Sequence, residues 1–547
     1  MQKIYVRDYG ILPDSDECCF EKLNKLFTEL GDDCEVIFEK GNYKVHHQLV
    51  IENKKNLTVN GNGANFEAYY NPASWDDNSR GLFMFRHCPD LKVQHMTITT
   101  SRRTSVAGKI IWKDDEAGIY ELELIGDCFL NGDEILMSQN SLDEDYSFDY
   151  KLVTYGPAEY KKVSDKVIRV TMNDNSRHQV ALVDIGQIVV YRHTMYGAIH
   201  LGFYGCDNAH IDDIRTFEAP GMVSTAGGRG HNITYTNYVI KPPEGKEYLL
   251  GANADGIHLY GIIGKFLLKD SYWAQLGDDA MNVNSKASII TEVNTEEGYI
   301  EGKYFVHAKI GDLLPPDWCF EGDRILTYDT DTYFEATHFK VKKRVGDRLY
   351  YEDLQGELKV GDKLINEELF TEVHIDNCTV RNTRARAFLI RTRNVTVENS
   401  HIYGMSMAAL LFGFDIIRWG EVGASRNVVI RNNIIEKCNI IKSPFNYAAI
   451  NVRVNDEGAG FGDSQPGVHN NFLIENNKII NCGASAIAGT AIKEIKIVNN
   501  EFINNGRPES LVDLETKEYD IVLHHCEGIE ISGNKTDKAE DKRQLLL

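Results

Sequence analysis

The chain lacks several things, and each absence excludes a class of function. It has no run of Lys or Arg, and its 547 residues carry a net charge of −22. That argues against a nucleic-acid or anionic-membrane surface as the main partner, and it disfavours a polyanionic substrate. No apolar stretch approaches the length that spans a bilayer. The opening MQKIYVRDYG has neither the basic region nor the apolar core of a signal peptide, so a cytoplasmic chain is expected, or a secreted or periplasmic one whose leader has been removed. There is no CxxC pair among the 11 cysteines, so no zinc cluster is expected. Cys378, Cys438 and Cys482 sit among alternating apolar residues, as free thiols in a core do, and the adjacent Cys18 and Cys19 read as two reduced thiols. The fixed Leu/Asn pattern of a leucine-rich repeat is missing, and so are the short acidic nonapeptides of calcium-binding β-helices.

What is present is a repeat. VQHMTI from Val93, IDDIRT from Ile211, YTNYVI from Tyr235, IDNCTV from Ile375, VENSHI from Val397, IRNNII from Ile430, IENNKI from Ile474 and IVNNEF from Ile497 share one plan. Each is an alternating strand, a polar pair usually containing Asn or Asp, and a second short strand. Spacings cluster near 23 residues, with longer steps that read as loops inserted in the same coil. A repeat of this size with period-2 alternation predicts an all-β parallel β-helix, with Asn side chains stacked in hydrogen-bonded ladders at the turns. The sequons at Asn377 and Asn394 read as ladder turns rather than glycan sites. CFEKLNKLFTEL, Cys19 to Leu30, has helical spacing and predicts an N-terminal cap.

Two segments interrupt the repeat with short strands and Gly-Asp turns: IGDCFLNGDEIL in the first, FEGDRILTY and VGDRLYYEDLQGELKVGDKL in the second. They predict two small antiparallel barrels. The expected organisation is a cap and first coils over 1–104, barrel one over 105–190, coils over 191–284, barrel two over 285–368, and late coils over 369–547. The charged tail from Lys535 is expected to fray.

LGDDAMNV, Leu276 to Val283, puts two adjacent aspartates where a strand is expected, although Asp is depleted from strands. Stacking GAIHL, GMVST, DGIHL, DAMNV, AFLIR and AAINV aligns Ile199, Val223, Ile257, Met281, Leu389 and Ile450 as one inward column. It also sets Asp279 on Asp255, one coil away. Coils lie about 4.8 Å apart, so Asp255, Asp278 and Asp279 should converge and cannot all ionise comfortably. A carboxyl that keeps its proton beside ionised ones suits glycoside hydrolysis. Asp278 is expected to be the acid, and Asp255 with Asp279 the base. Strict alternation would bury both stacked aspartates, so a bulge or turn at Gly256 and Ala280 is expected to re-aim them. The competing structural reading is that these aspartates cap turns or hold a cation.

NADGIHL followed by GDDAMNV resembles the catalytic signature of right-handed β-helix glycosidases. Polygalacturonases share it, but their Gly-His-Gly and Arg-Ile-Lys motifs are absent after Asp279, where the next coil reads RARAFLIRT. The closer resemblance is to glycoside hydrolase family 110, the α-1,3-galactosidases. It extends over FEKGNY, both inserts, GGRGHN and the late coils. It implies an exo-acting, inverting hydrolase of terminal α-1,3-linked galactose, on blood-group-B-type or linear glycans, with Asp255, Asp278 and Asp279 as the catalytic set. An inverting pair should stand about 6.5–9.5 Å apart, which Asp255 and Asp278 could supply. No cofactor or metal is expected. The expected partner is an oligosaccharide or glycoconjugate, and the inserts are expected to build part of the pocket or to join two chains in a homodimer.

Further substrate contacts are expected from His258 and Asn282, stacked beside the aspartates, and from Arg229, Arg391 and Arg393. Trp273 and Trp419 are candidate stacking platforms, with core packing the favoured alternative for Trp273. The loop from Asn455 to Asn470 is a candidate cleft wall, through Asp456, Glu457 or His469. The alternatives are a polygalacturonase-like hydrolase of another α-linked sugar and a non-catalytic glycan-binding β-helix.

Overall fold

A computed structural model of the chain describes residues 1–74, 81–306, 309–329, 331–416, 418–441, 447–455, 464–507 and 515–547. The strands stack in parallel as a β-helix with three faces. One column runs Val397, Ile430, Ile474, Ile497 and Ile531 through consecutive coils, each paired with the next. Its members down to Ile497 are fully buried. They belong to one continuous apolar core that reaches from Ile4 to Leu523. Burying each such side chain contributes about 1.5–3 kcal/mol, so the repeat itself is the main source of stability.

The paired asparagines explain the turn between the first and second faces. In Asn432-Asn433, Asn476-Asn477 and Asn499-Asn500 the first residue takes the left-handed backbone region, with φ of 56°, 55° and 57°. Asn tolerates that region better than most side chains. The second residue turns inward. Asn433 Nδ2 donates to Asn477 Oδ1, Asn477 Nδ2 to Asn500 Oδ1, and Asn500 Nδ2 to Asn534 Oδ1, each at 3.0 Å.

The helix Phe20–Glu29 covers the first coil with Leu23, Leu26 and Phe27. At the other end the tail does not fray. Lys535–Thr536 and Gln544–Leu546 pair in parallel with Glu501–Ile503 and Ile521–His524, making a last partial coil. Its Gln-Leu-Leu segment completes the third face, a contribution the charged flanks conceal.

Six strands between Ser105 and Arg192 close into an antiparallel barrel. Between Ser288 and Asn366 the antiparallel pairings also return to their start. They run Ser288–Asn294, Lys363–Asn366, Arg324–Tyr328, Glu335–Val345, Arg348–Gln355, Tyr299–Val306 and back to Ser288–Asn294. The first barrel leans on later coils. Lys437 Nζ meets Asp143 at 3.0 Å, Asp145 at 3.0 Å and Ser147 Oγ at 2.8 Å.

The third face corrects the expected register. Ile257 does pair with Met281, but Met281 pairs with Phe388 rather than Leu389, and Ile257 with Ser224 rather than Val223. Ile199 is half-buried, and its neighbour His200 is enclosed. At Phe388-Leu389 both neighbours are apolar and alternation does not choose between them, whereas Ser224 and Leu201, which pair with each other, place the column one residue past Val223 on a polar side chain and two past Ile199.

Candidate active site

The two aspartates are not in a strand. The strand Tyr272–Leu276 of the second face ends before them, and Met281–Lys286 of the third face begins after them. Asp278 and Asp279 occupy the corner, and Asp255 occupies the same corner one coil earlier. The Gly256 N–H donates to the Asp279 carbonyl at 3.1 Å, and the Ala280 N–H donates to the Arg386 carbonyl at 2.9 Å. These equivalent bonds set Asp255, Asp279 and Arg386 one above another. The corner needs glycine at 277, where a Cβ would stand 2.3 Å from the Asn253 carbonyl and 2.8 Å from Arg192 Nη1.

Arginines surround the carboxylates. Asp278 Oδ1 is 2.8 Å from Arg384 Nη2, and its Oδ2 accepts from the Tyr196 hydroxyl at 2.9 Å. Arg386 grips Asp279 twice, through Nη1 at 2.8 Å and through its own backbone N–H at 3.0 Å. Arg192, on the last strand of the first barrel, donates to the carbonyls of Gly277, at 2.9 Å, and Asn253. Arg384 also donates to the Gly277 carbonyl, and reaches the hydroxyl of Tyr150, a barrel residue, at 3.2 Å. The first barrel is therefore a wall of this site. Asp278 is its most open carboxyl, with 18% of the side chain exposed against 6% for each of the other two. Tyr196 is 44% exposed beside it.

The protons are held unequally. Burial pushes Asp279 up to about 7; Arg386 opposes this, and the charges of Asp278 and Asp255 add to it. Burial also raises Asp255, against the pull of His258. Asp278 goes the other way. Burial alone would raise it, but the charges of Arg384, Arg192 and Arg386 outweigh burial and hold it below the usual carboxylate range. The expectation that Asp278 holds the raised pKa is thus reversed, because the next coil and the barrel supply cations that no local reading reveals.

The remaining candidates divide. His258 and Asn282 pair in register, as expected. His258 Nδ1 is 3.0 Å from Asp255 Oδ2. Arg391 is buried and pairs with Glu421 at 2.7 Å. Arg229 and Arg393 serve the second barrel. Arg229 clasps Asp323 at 2.7 and 3.2 Å, and Arg393 pairs with Glu335 at 2.8 Å and covers the Phe370 ring. Trp273 is a core residue, 1% exposed, with its indole N–H on the Tyr238 carbonyl. Trp419 is half-buried, two residues from Glu421. His469 is enclosed between the Ser425 N–H and the Arg453 carbonyl, so it is structural. Asp456 and Glu457 lie outside the described residues.

Sequence reasoning missed Tyr196, Arg192, Arg384, Arg386, Lys286, Asn284 and Glu421. Only Arg386 left a signal, since it falls in the aspartate column once AFLIR is shifted by one residue.

A family model described as "Right handed beta helix region" matches residues 364–540. The protein named alpha-1,3-galactosidase A of Bacteroides fragilis is 25% identical over 324 residues, covering 58% of this chain and 51% of that one. Alpha-1,3-galactosidase B of Bacteroides thetaiotaomicron is 23% identical over 359 residues, covering 64% and 56%. Both carry the name α-1,3-galactosidase. The chain spans about half the length of these two. A protein of the same name from Phocaeicola vulgatus is 22% identical over 500 residues, covering 79% and 78%. Among solved structures, a family 28 exopolygalacturonase of Yersinia enterocolitica aligns with a TM-score of 0.44 at 12% identity, covering 100% of this chain and 77% of that one. An endo-xylogalacturonan hydrolase of Aspergillus tubingensis aligns with a TM-score of 0.43 at 9% identity, covering 97% and 92%.

Proposed function

We propose that the chain is an exo-acting, inverting glycoside hydrolase that removes terminal α-1,3-linked galactose from glycans. The observation that carries this reading is the corner itself. Three carboxyls meet beside an exposed tyrosine, one held ionised and one poised near neutral pH. In the reaction, a carboxylic acid protonates the leaving oxygen as the bond from the anomeric carbon to that oxygen breaks. A carboxylate takes a proton from the water that attacks the opposite face. The resting charges favour Asp279 as donor and Asp278 as the ionised base, with Asp255 assisting. A second assignment, Asp278 as donor, is favoured by its greater exposure and requires substrate to draw Arg384 away from it.

The test is to incubate the protein with the disaccharide of α-1,3-linked galactose and follow the anomeric proton of the released sugar by NMR. β-Galactose appearing first supports inversion. α-Galactose first sinks it. No release rejects the galactosidase and directs attention to uronates and other α-linked sugars. Activity that disappears in Asp278→Asn with the fold intact separates an enzyme from a non-catalytic glycan-binding β-helix. A homodimer built through the barrels is part of the same proposal, and light scattering tests it.

A further inference from the structure

Glu421 is a buried carboxylate for which the proposed reaction has no use. It comes from a distant coil, and Glu421–Val422 pairs antiparallel with Ser285 and Lys286 at the end of the strand that begins beside the aspartates. Lys286 Nζ and Arg391 Nη1 hold it at 2.9 and 2.7 Å. Burial alone would raise it, but these two cations hold it well below the usual carboxylate range. An ionised carboxylate only accepts hydrogen bonds.

That fact orients a chain of side chains. Asn282 must turn its amino group towards Glu421, at 3.3 Å, so its oxygen faces Asn284. Asn284 must then present its amino group to that oxygen, at 3.0 Å. The Asn284 amino group also lies 3.3 Å from His258 Nε2. In the neutral ring a nitrogen facing a donor accepts, so Nε2 carries no proton. The proton of the neutral imidazole is then on Nδ1, aimed at Asp255 Oδ2 at 3.0 Å. One nitrogen's partner fixes what the other nitrogen does.

We propose that Glu421 sets the tautomer of His258 through Asn282 and Asn284, making His258 a positioning residue that holds Asp255 rather than a contact for the sugar. Its influence on rate rests on the reading that Asp255 takes part in the reaction; the tautomer itself does not. The groups facing His258 are Asp255 on its own coil, Asn282 and Asn284 from the next, and Glu421, 3.7 Å from Nε2, which Lys286 and Arg391 neutralise. The Tyr260 ring stands 6.2 Å away, edge-on.

The experiment is heteronuclear NMR of the full chain labelled at the histidine ring nitrogens, with the His258 signals identified by their loss in His258→Gln. The expected result at neutral pH is a bare Nε2 and a protonated Nδ1. Asn284→Asp replaces the donor with an acceptor and should move a proton onto Nε2. Asn282→Leu cuts the chain and should leave the two tautomers mixed. In both variants kcat should fall about 10–100-fold with KM little changed, and the pH profile of kcat/KM should shift. A bare Nδ1 in the wild-type chain overturns the proposal. So does a tautomer indifferent to Asn282→Leu, or a rise in KM at constant kcat, which would mark His258 as a sugar contact. If the chain does not release galactose, the galactosidase reading falls, and the NMR result still decides the tautomer.

Discussion

Two corners of the same solenoid solve opposite problems. At the late corners between the first and second faces, Asn433, Asn477, Asn500 and Asn534 stack with each amide donating to the next. An amide is both donor and acceptor, so a column of identical side chains satisfies itself. At the corner between the second and third faces, Asp255 stacks on Asp279, with Asp278 beside it. Ionised carboxylates cannot satisfy one another, and this column is held by cations: Arg386, which stands in it on the next coil, Arg384, and Arg192 from the first barrel. The first corner is repetition that stabilises. The second interrupts the repetition, and there the fold brings in distant side chains to keep one carboxyl ionised and another partly protonated. Such a departure from local rules is what a functional site leaves behind.

The comparison can be broken most sharply at the acidic corner. Asp278→Asn and Asp279→Asn should each lower kcat about 100–10,000-fold while the melting transition persists. An aryl galactoside with a good leaving group, which needs little protonation, should restore the rate of whichever variant lacks the donor and leave the other inactive. Recovery in Asp278→Asn alone would establish the second assignment of roles.

Next in size is a change that turns the amide corner into the acidic one. Asn477→Asp places a carboxylate where its side-chain partners are Asn433, Asn500 and the Ile430 carbonyl, with no cation among them. It should destabilise the chain by about 3–5 kcal/mol at neutral pH. Stability should recover on acidification as that carboxyl gains its proton, leaving kcat unchanged throughout. Denaturant melts at several pH values measure this. An Asn477→Asp chain as stable as the parent would deny the ladder its role.

A smaller effect concerns the native Asp279. Its folded pKa, about 7, lies above the ordinary carboxylate value, so the native state holds a proton that the unfolded chain has released. Its contribution to stability therefore falls as pH rises between the unfolded and folded pKa values, and the penalty is complete above about pH 7. Asp279→Asn should remove this slope and melt higher than the parent chain on the alkaline side. An unchanged slope would mean that another group holds the proton. The smallest effect is expected from Arg386→Leu. Losing that cation should raise Asp279 further and move the alkaline limb of the kcat/KM profile to higher pH by about one unit, with the donor kept protonated at neutral pH.

Much of this fold was legible in the sequence because the repeat encodes it. Alternation gives the strands, and Asn pairs give the turns. Cys19 to Leu30 gives the capping helix, and the Gly-Asp turns give the inserts. The column of Asp255 and Asp279 was legible too, since both fall in rows that place Ile257 on Met281. Legibility stopped where the pattern was degenerate. AFLIR offers two adjacent apolar residues, and choosing Leu389 over Phe388 moved Arg386 out of the column it occupies. Trp273, Arg229 and Arg393 have side chains suited to sugars, yet the core and the second barrel absorb them. Nothing in a side chain's identity reveals which neighbour it will find.

The sequence by itself determined the solenoid, its N-terminal cap, its interruptions and the place where three aspartates meet, because each of these follows from short-range periodicity. The tertiary structure alone decided the charge state of the site. Arg192 comes from the barrel that interrupts the helix, Arg384 and Arg386 lie beyond the second insert, and Glu421 lies more than a hundred residues from Asp255 in the chain. Electrostatic energies depend on distances of a few ångströms and on burial, and folding sets both between residues that the sequence keeps far apart.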